Sequence, residues 1–121
     1  MSRCRYTPKR QSEARMVPFL DAQEAWFWFM RSQRARLEGA KMRANEADVV
    51  RPCDPDDLYR VAMGLIRSNI LGRRHMKVLA SFGIDERAPD SRIREEHRAS
   101  LLWDEAMDRM TTILRKKGII E

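Results

Sequence analysis

The sequence predicts an all-α fold, a single domain of four principal helices. Apolar residues recur three and four positions apart in four separate stretches, the signature of helices with one buried face. No segment alternates apolar and polar residues over a useful strand length. Helix-starting and helix-stopping residues bracket the periodic runs, as in "CDPDDL" and in the Gly118 that follows the last run. A chain of 121 residues that is 43% hydrophobic is one domain's worth of polypeptide and can bury a core.

Residues 1–17 read as a flexible basic arm, with Arg3, Arg5, Lys9, Arg10 and Arg15 against the single acid Glu13, and residues 18–121 as the helical domain. Pro18 and Asp21 announce the first helix. Asp21 is its expected N-cap, and Glu24 three residues on is the capping-box partner. Ala22, Trp26, Phe29, Met30, Gln33, Leu37 and Ala40 keep helical spacing, so this helix is predicted to reach about Met42. From Ala44 to Asp54 the chain turns acidic and irregular, and "DVVRP" allows a short extended piece.

The second helix is predicted from Asp54 to Ser68. Asp54 caps it, Pro55 occupies the first turn, and Asp56 and Asp57 face its positive end. Leu58, Val61, Ala62, Leu65 and Ile66 form its buried stripe. A third helix, Gly72 to Phe82, turns Met76, Leu79 and Phe82 inward and is expected to end on Gly83 as a C-terminal cap. After the loop "IDERAPD", a long last helix begins at Asp90 or Ser91 and runs to Gly118. Ala99, Leu102, Trp103, Ala106, Met110, Ile113 and Leu114 make its apolar face. Two long helices therefore frame a short central pair.

Twenty-four Lys and Arg against 18 Asp and Glu leave a formal charge of +6, which favours anionic partners through long-range attraction. The N-terminus lacks an apolar stretch of the kind signal peptides carry, and nowhere do eighteen consecutive apolar residues occur. The expectation is a cytoplasmic protein without a membrane span. Cys4, Cys53, His75 and His97 stand at no ligand-like spacing, so neither a metal nor a cofactor is expected. No phosphate-binding glycine loop or dinucleotide signature is present, and no nucleophile is patterned beside a base; the chain does not read as an enzyme. Asp54, Asp56 and Asp57 are explained by their helix start without a cation.

Two functions remain open. The pair of helices at 54–68 and 72–82, joined by a short glycine-containing connector, has helix-turn-helix proportions. In such motifs the second helix enters the major groove of double-stranded DNA with its N-terminal residues at the base edges, where Arg73, Arg74 and Lys77 fall. Arg60 and Arg67 on the preceding helix could hold phosphate. Along the first helix Arg31 and Arg34, with Lys41 beyond, form a basic row in which Glu38 is the only acid, a second phosphate-contact surface. Alternatively the protein is a helical interaction module. "AWFWFM" places Trp26, Phe27, Trp28 and Phe29 all round one helix, and a helix apolar on every side must be covered on every side. Those four residues would then be the working surface, against a second copy in a homodimer or against a protein partner whose acids meet the basic rows.

The stretch "LGRRHMKVLASFGIDER", residues 71–87, resembles the opening of region 4 in bacterial sigma factors, where a leucine, a basic turn and "VL…FG" introduce the first helix of a DNA-binding module. "EAMDRMTTILRKKG", residues 105–118, is similar to the closing helix of such domains. The resemblance covers roughly the C-terminal half and implies a transcription-linked helix-turn-helix protein. It departs from the family at "APDSRIREEHRASLLWDEAMD". Glu95, Glu96, Asp104, Glu105 and Asp108 stand where the family's promoter-reading helix is basic, so no base-reading residue is carried over there. Arg109, Arg115, Lys116 and Lys117 gather near the end of the last helix, where cations complement the negative helix terminus.

Overall fold

The computed structural model describes residues 16–39 and 49–121. Among these, α1 is Ala22–Leu37, α2 Pro55–Arg67, α3 Arg73–Ile84 and α4 His97–Lys116, the last preceded by a 3-10 turn, Arg94–Glu96. The described residues contain two isolated β-bridges and no longer strand. This is the expected all-α domain, with a long last helix and a short central pair. No helix among the described residues is long and apolar enough to cross a membrane.

Local chemistry sets where each helix starts. Asp21 Oδ1 accepts from the Glu24 N–H at 2.9 Å, and Glu24 Oε1 accepts from the Leu20 N–H at 2.7 Å, so two backbone donors at the head of α1 are satisfied. At α2, Asp57 Oδ2 accepts from the Asp54 N–H at 2.9 Å. α4 starts later than expected, at His97 rather than Asp90 or Ser91. Asp90 spends its carboxylate on the Arg92 N–H and guanidinium. Glu96 turns back to Arg87 and to the Asp90 N–H, which winds 90–96 into a tight loop.

The helix ends follow one rule. α2, α3 and α4 are each followed by a residue at positive φ: Asn69 at 64°, Glu86 at 51° and Gly118 at 78°. The next N–H then reaches back to a carbonyl of the last turn, Ile70 to Leu65 at 2.9 Å, Arg87 to Phe82 at 3.1 Å and Ile119 to Leu114 at 2.9 Å. α1 stops at Leu37 instead of Met42 because Gly39 takes φ +73° there. Gly83 is not the cap of α3. It lies inside the helix, where a Cβ would stand 2.8 Å from Met30 Cγ and 3.0 Å from Trp26 Nε1. Its missing side chain lets α1 and α3 approach closely, and Glu86 supplies the stop.

The core is built on α1, which touches each of the other helices. Trp26 and Phe29 are buried among Leu58, Leu65 and Leu79, and the Trp26 indole donates to the Leu79 carbonyl at 3.0 Å. On the other side Phe27 stacks on Trp103 at 5.7 Å, and Trp28 lies 5.1 Å from Phe19. The all-round apolar run is thus covered largely by the chain itself. At one end of the bundle the last residues return to the first helix. The Phe19 N–H donates to the Ile119 carbonyl and the Glu121 N–H to the Phe19 carbonyl, at 3.0 and 2.9 Å, sealing Phe19, Ile119 and Ile120 in the core.

Residues 1–15, with the arm's five named cations, and residues 40–48, with Lys41, lie outside the described residues. Met16 and Val17, assigned by sequence to the arm, are pinned: Met16 bridges to Val50, and the Val17 N–H donates to the Val50 carbonyl at 2.8 Å. That single bridge is what becomes of the extended piece expected in "DVVRP".

Candidate nucleic-acid interface

α3 owes its position to three contacts. Gly83 lets it close on α1, Trp26 donates into its Leu79 carbonyl, and Phe82 meets Trp103 edge-on at 6.5 Å. These fix one face. The opposite face, Arg73, Arg74, Lys77, Ala80 and Ser81, is exposed. Cations occupy its first half and small side chains the second.

The first turn of α3 contains no acid. Its N-cap is Gly72, which has no side chain to receive a backbone donor. His75 takes over: Nδ1 accepts from the Gly72 N–H at 3.0 Å, and Nε2 lies 2.8 Å from Glu105 Oε1 on α4. An Nδ1 that accepts carries no proton, so Nε2 is the protonated nitrogen and donates to Glu105. The hydrogen bond from His75 is the main influence that holds the Glu105 carboxyl below its ordinary range, and the Arg109 charge acts in the same direction. The strap ties the start of α3 to the middle of α4.

This arrangement decides which cations are free. The acids of α4 and of the loop before it do not reach the basic cluster: Glu105 serves His75, Asp108 pairs with Arg109 at 2.6 Å, and Glu96 pairs with Arg87 at 2.8 Å. Among the described residues, Arg73, Arg74 and Lys77 make no ion pair, and neither does the exposed Arg67 across the connector. Arg74 and Lys77 flank a shallow hollow of about 250 Å³ between α3 and α4, floored by Val78, Phe82 and Leu102.

The row on α1 behaves differently. Arg31 pairs with Glu86 at 2.8 Å, while Arg34 lies 3.8 Å from the same carboxylate and donates to the Ile84 carbonyl at 2.6 Å. The expectation that this row lacks an acidic partner is therefore corrected. Glu86, fifty residues away in sequence, is brought over it by the positive-φ turn that ends α3. Arg60 is likewise engaged, by Asp57 at 2.7 Å on its own helix. Of the seven cations singled out from the sequence, the fold leaves Arg67, Arg73, Arg74 and Lys77 without an ion-pair partner among the described residues, and it spends Arg31, Arg34 and Arg60 on internal pairs. Sequence reading passed over Glu86 and the His75–Glu105 strap. A histidine three residues after a glycine N-cap is the one local sign of the strap.

Of the four aromatics proposed for a partner surface, Trp26 and Phe29 are buried, and Phe27 and Trp28 are half-buried against the core. Comparison with known protein families, with curated proteins and with solved structures finds no match for this chain.

Proposed function

We propose that this protein is a non-enzymatic, transcription-associated regulator that binds double-stranded DNA with the exposed face of α3. One observation carries the reading. Arg73, Arg74 and Lys77 project together from one helix start with no carboxylate within ion-pair distance among the described residues, where eight other arginines are paired with carboxylates. Three cations at the positive end of a helix dipole repel that end and one another, and an anion supplied from outside relieves both. Beyond the cations, Ala80 and Ser81 keep the helix slim enough to enter a groove about 12 Å wide. Arginine suits such a site because its planar fork donates in pairs to guanine or to phosphate. Of the two residues expected to hold the phosphate backbone, Arg67, at the far end of the connector, supplies that contact, Arg60 being paired with Asp57. The likeness of residues 71–87 to sigma region 4 points the same way.

The interaction-module reading rests on the aromatic run, and that run is largely consumed by the core.

The test is the salt dependence of affinity for a short labelled duplex. Each phosphate neutralised contributes about 0.9 to the slope of log K against log salt. Replacing Arg73, Arg74 and Lys77 by alanine should flatten the slope by about 3 and weaken binding by on the order of 100-fold or more at low salt, with helicity unchanged. An unaltered affinity in that triple variant ends the proposal.

A further inference from the structure

A second cleft, of about 650 Å³, opens between α2 and the end of α4, away from the exposed face of α3. Its floor is apolar: Val61 and Leu65 from α2, Ile113 from α4 and Ile119 from the returning tail. Its rim carries Arg60 on one side and Lys117 on the other. The one carboxylate of the lining, Asp57, is already occupied, with Oδ1 receiving Arg60 and Oδ2 receiving the Asp54 N–H. The Cys53 thiol beside it adds no charge. Burial first, then Asp57 and Asp54, push it up to about 11. Lys117 makes no ion pair among the described residues. The cleft is therefore left with one positive charge in excess above an oily floor.

Gly64 lines the same wall, inside α2. Glycine within a helix costs about 1 kcal/mol relative to alanine. At Gly83 close packing requires it; at Gly64 a Cβ would meet nothing within 4 Å. Packing among the described residues gives no reason for the missing side chain, whereas an occupant of the cleft lying against the α2 backbone does. The volume falls within the range of about 300–1,000 Å³ usual for small-molecule sites.

We infer that this cleft binds a small monoanionic amphiphile, its head group between Lys117 and Arg60 and its apolar body over Val61, Leu65 and Ile113. The site is separate from the DNA face and does not depend on that reading. The probe is decanoate below its micelle-forming concentration, titrated into the full-length protein by calorimetry, with decyltrimethylammonium as the cationic counterpart and vesicles of anionic phospholipid as a separate arm. Saturable one-to-one binding of decanoate is expected, with the cationic analogue weaker by at least about tenfold. Gly64→Leu should fill the cleft and abolish decanoate binding with helicity and DNA affinity retained. Lys117→Glu, at an exposed position that does not threaten folding, should weaken it by about tenfold. Decanoate binding that survives both substitutions places the ligand elsewhere and overturns the inference. So does no saturation with decanoate, or binding to vesicles alone, which would mark a membrane-surface patch instead.

Discussion

The starts of α2 and α3 are eighteen residues apart in sequence and opposite in electrostatics. α2 opens with Asp54, Asp56 and Asp57, and the Asp57 carboxylate accepts both the Asp54 N–H and the Arg60 guanidinium. Every charge there favours the helix that carries it. α3 opens with Gly72, Arg73 and Arg74, with Lys77 one turn on. Its only side-chain cap is the imidazole of His75, itself steadied by Glu105. Isolated from the fold, α2's start would favour helix and α3's would oppose it. The difference teaches where each helix gets its stability: α2 largely from its own sequence, α3 from its neighbours. A helix held from outside can afford cations at the wrong end, and those are the ones left for an external anion.

If α3 is held from outside, its close contact with α1 should matter most. Gly83→Ala drives a methyl into Met30 Cγ and the Trp26 indole. The expected loss is about 1–3 kcal/mol in urea unfolding, the range of overpacked cores. A neutral result would mean that α3 does not depend on this approach. At the other helix, Asp57→Ala removes the acceptor for the Asp54 N–H and the partner of Arg60, for a loss of about 1 kcal/mol. DNA affinity should stay at the parent value. A fall in affinity would show that the two starts are not independent.

The smallest effect lies in acid. Glu105, held low by His75, and Glu96, held low by Arg87, have folded-state values beneath their ordinary 4.5. A depressed carboxylate adds stability that is complete above its unfolded value and is lost as pH falls through the folded one. Unfolding midpoints should therefore hold level down to about pH 5 and decline below it. Glu105→Gln should make that decline shallower, and an unchanged profile would remove the strap from the account of how α3 is placed.

Much of this was legible because it is local. The Asp54–Pro55–Asp56–Asp57 start, the Asp21–Glu24 cap and the spacing of Trp26, Phe29, Leu58 and Leu65 are decided within one or two turns, and the all-α reading follows from them. The features that escaped are those in which distant residues meet. Gly83 looks like a helix stop until Trp26 and Met30 come against it. Glu86 looks like a loop acid until its positive φ carries it over Arg31 and Arg34. Phe19, Ile119 and Ile120 sit in stretches too short to show any period, and they are buried where the Phe19 N–H donates to the Ile119 carbonyl and the Phe19 carbonyl accepts from the Glu121 N–H. The late start of α4 has the same origin, since Asp90 and Glu96 are captured by Arg92 and Arg87 instead of capping a helix. For the candidate site the cations could be read from the sequence, and so could the Arg60–Asp57 pair three residues apart, but the loss of Arg31 and Arg34 could not, because their partner Glu86 lies up to fifty-five residues away.

The decisive experiment gives α3 the acidic start of α2. In Arg73→Glu/Arg74→Glu, each exchange replaces a repelled charge at the helix head with an attracted one, worth about 0.3–1 kcal/mol apiece. Titrated with duplex DNA, this variant should fail to bind while melting no lower than the parent. Retention of parental affinity by the folded double variant would contradict the claim that the unpaired cations of α3 are kept for a polyanion.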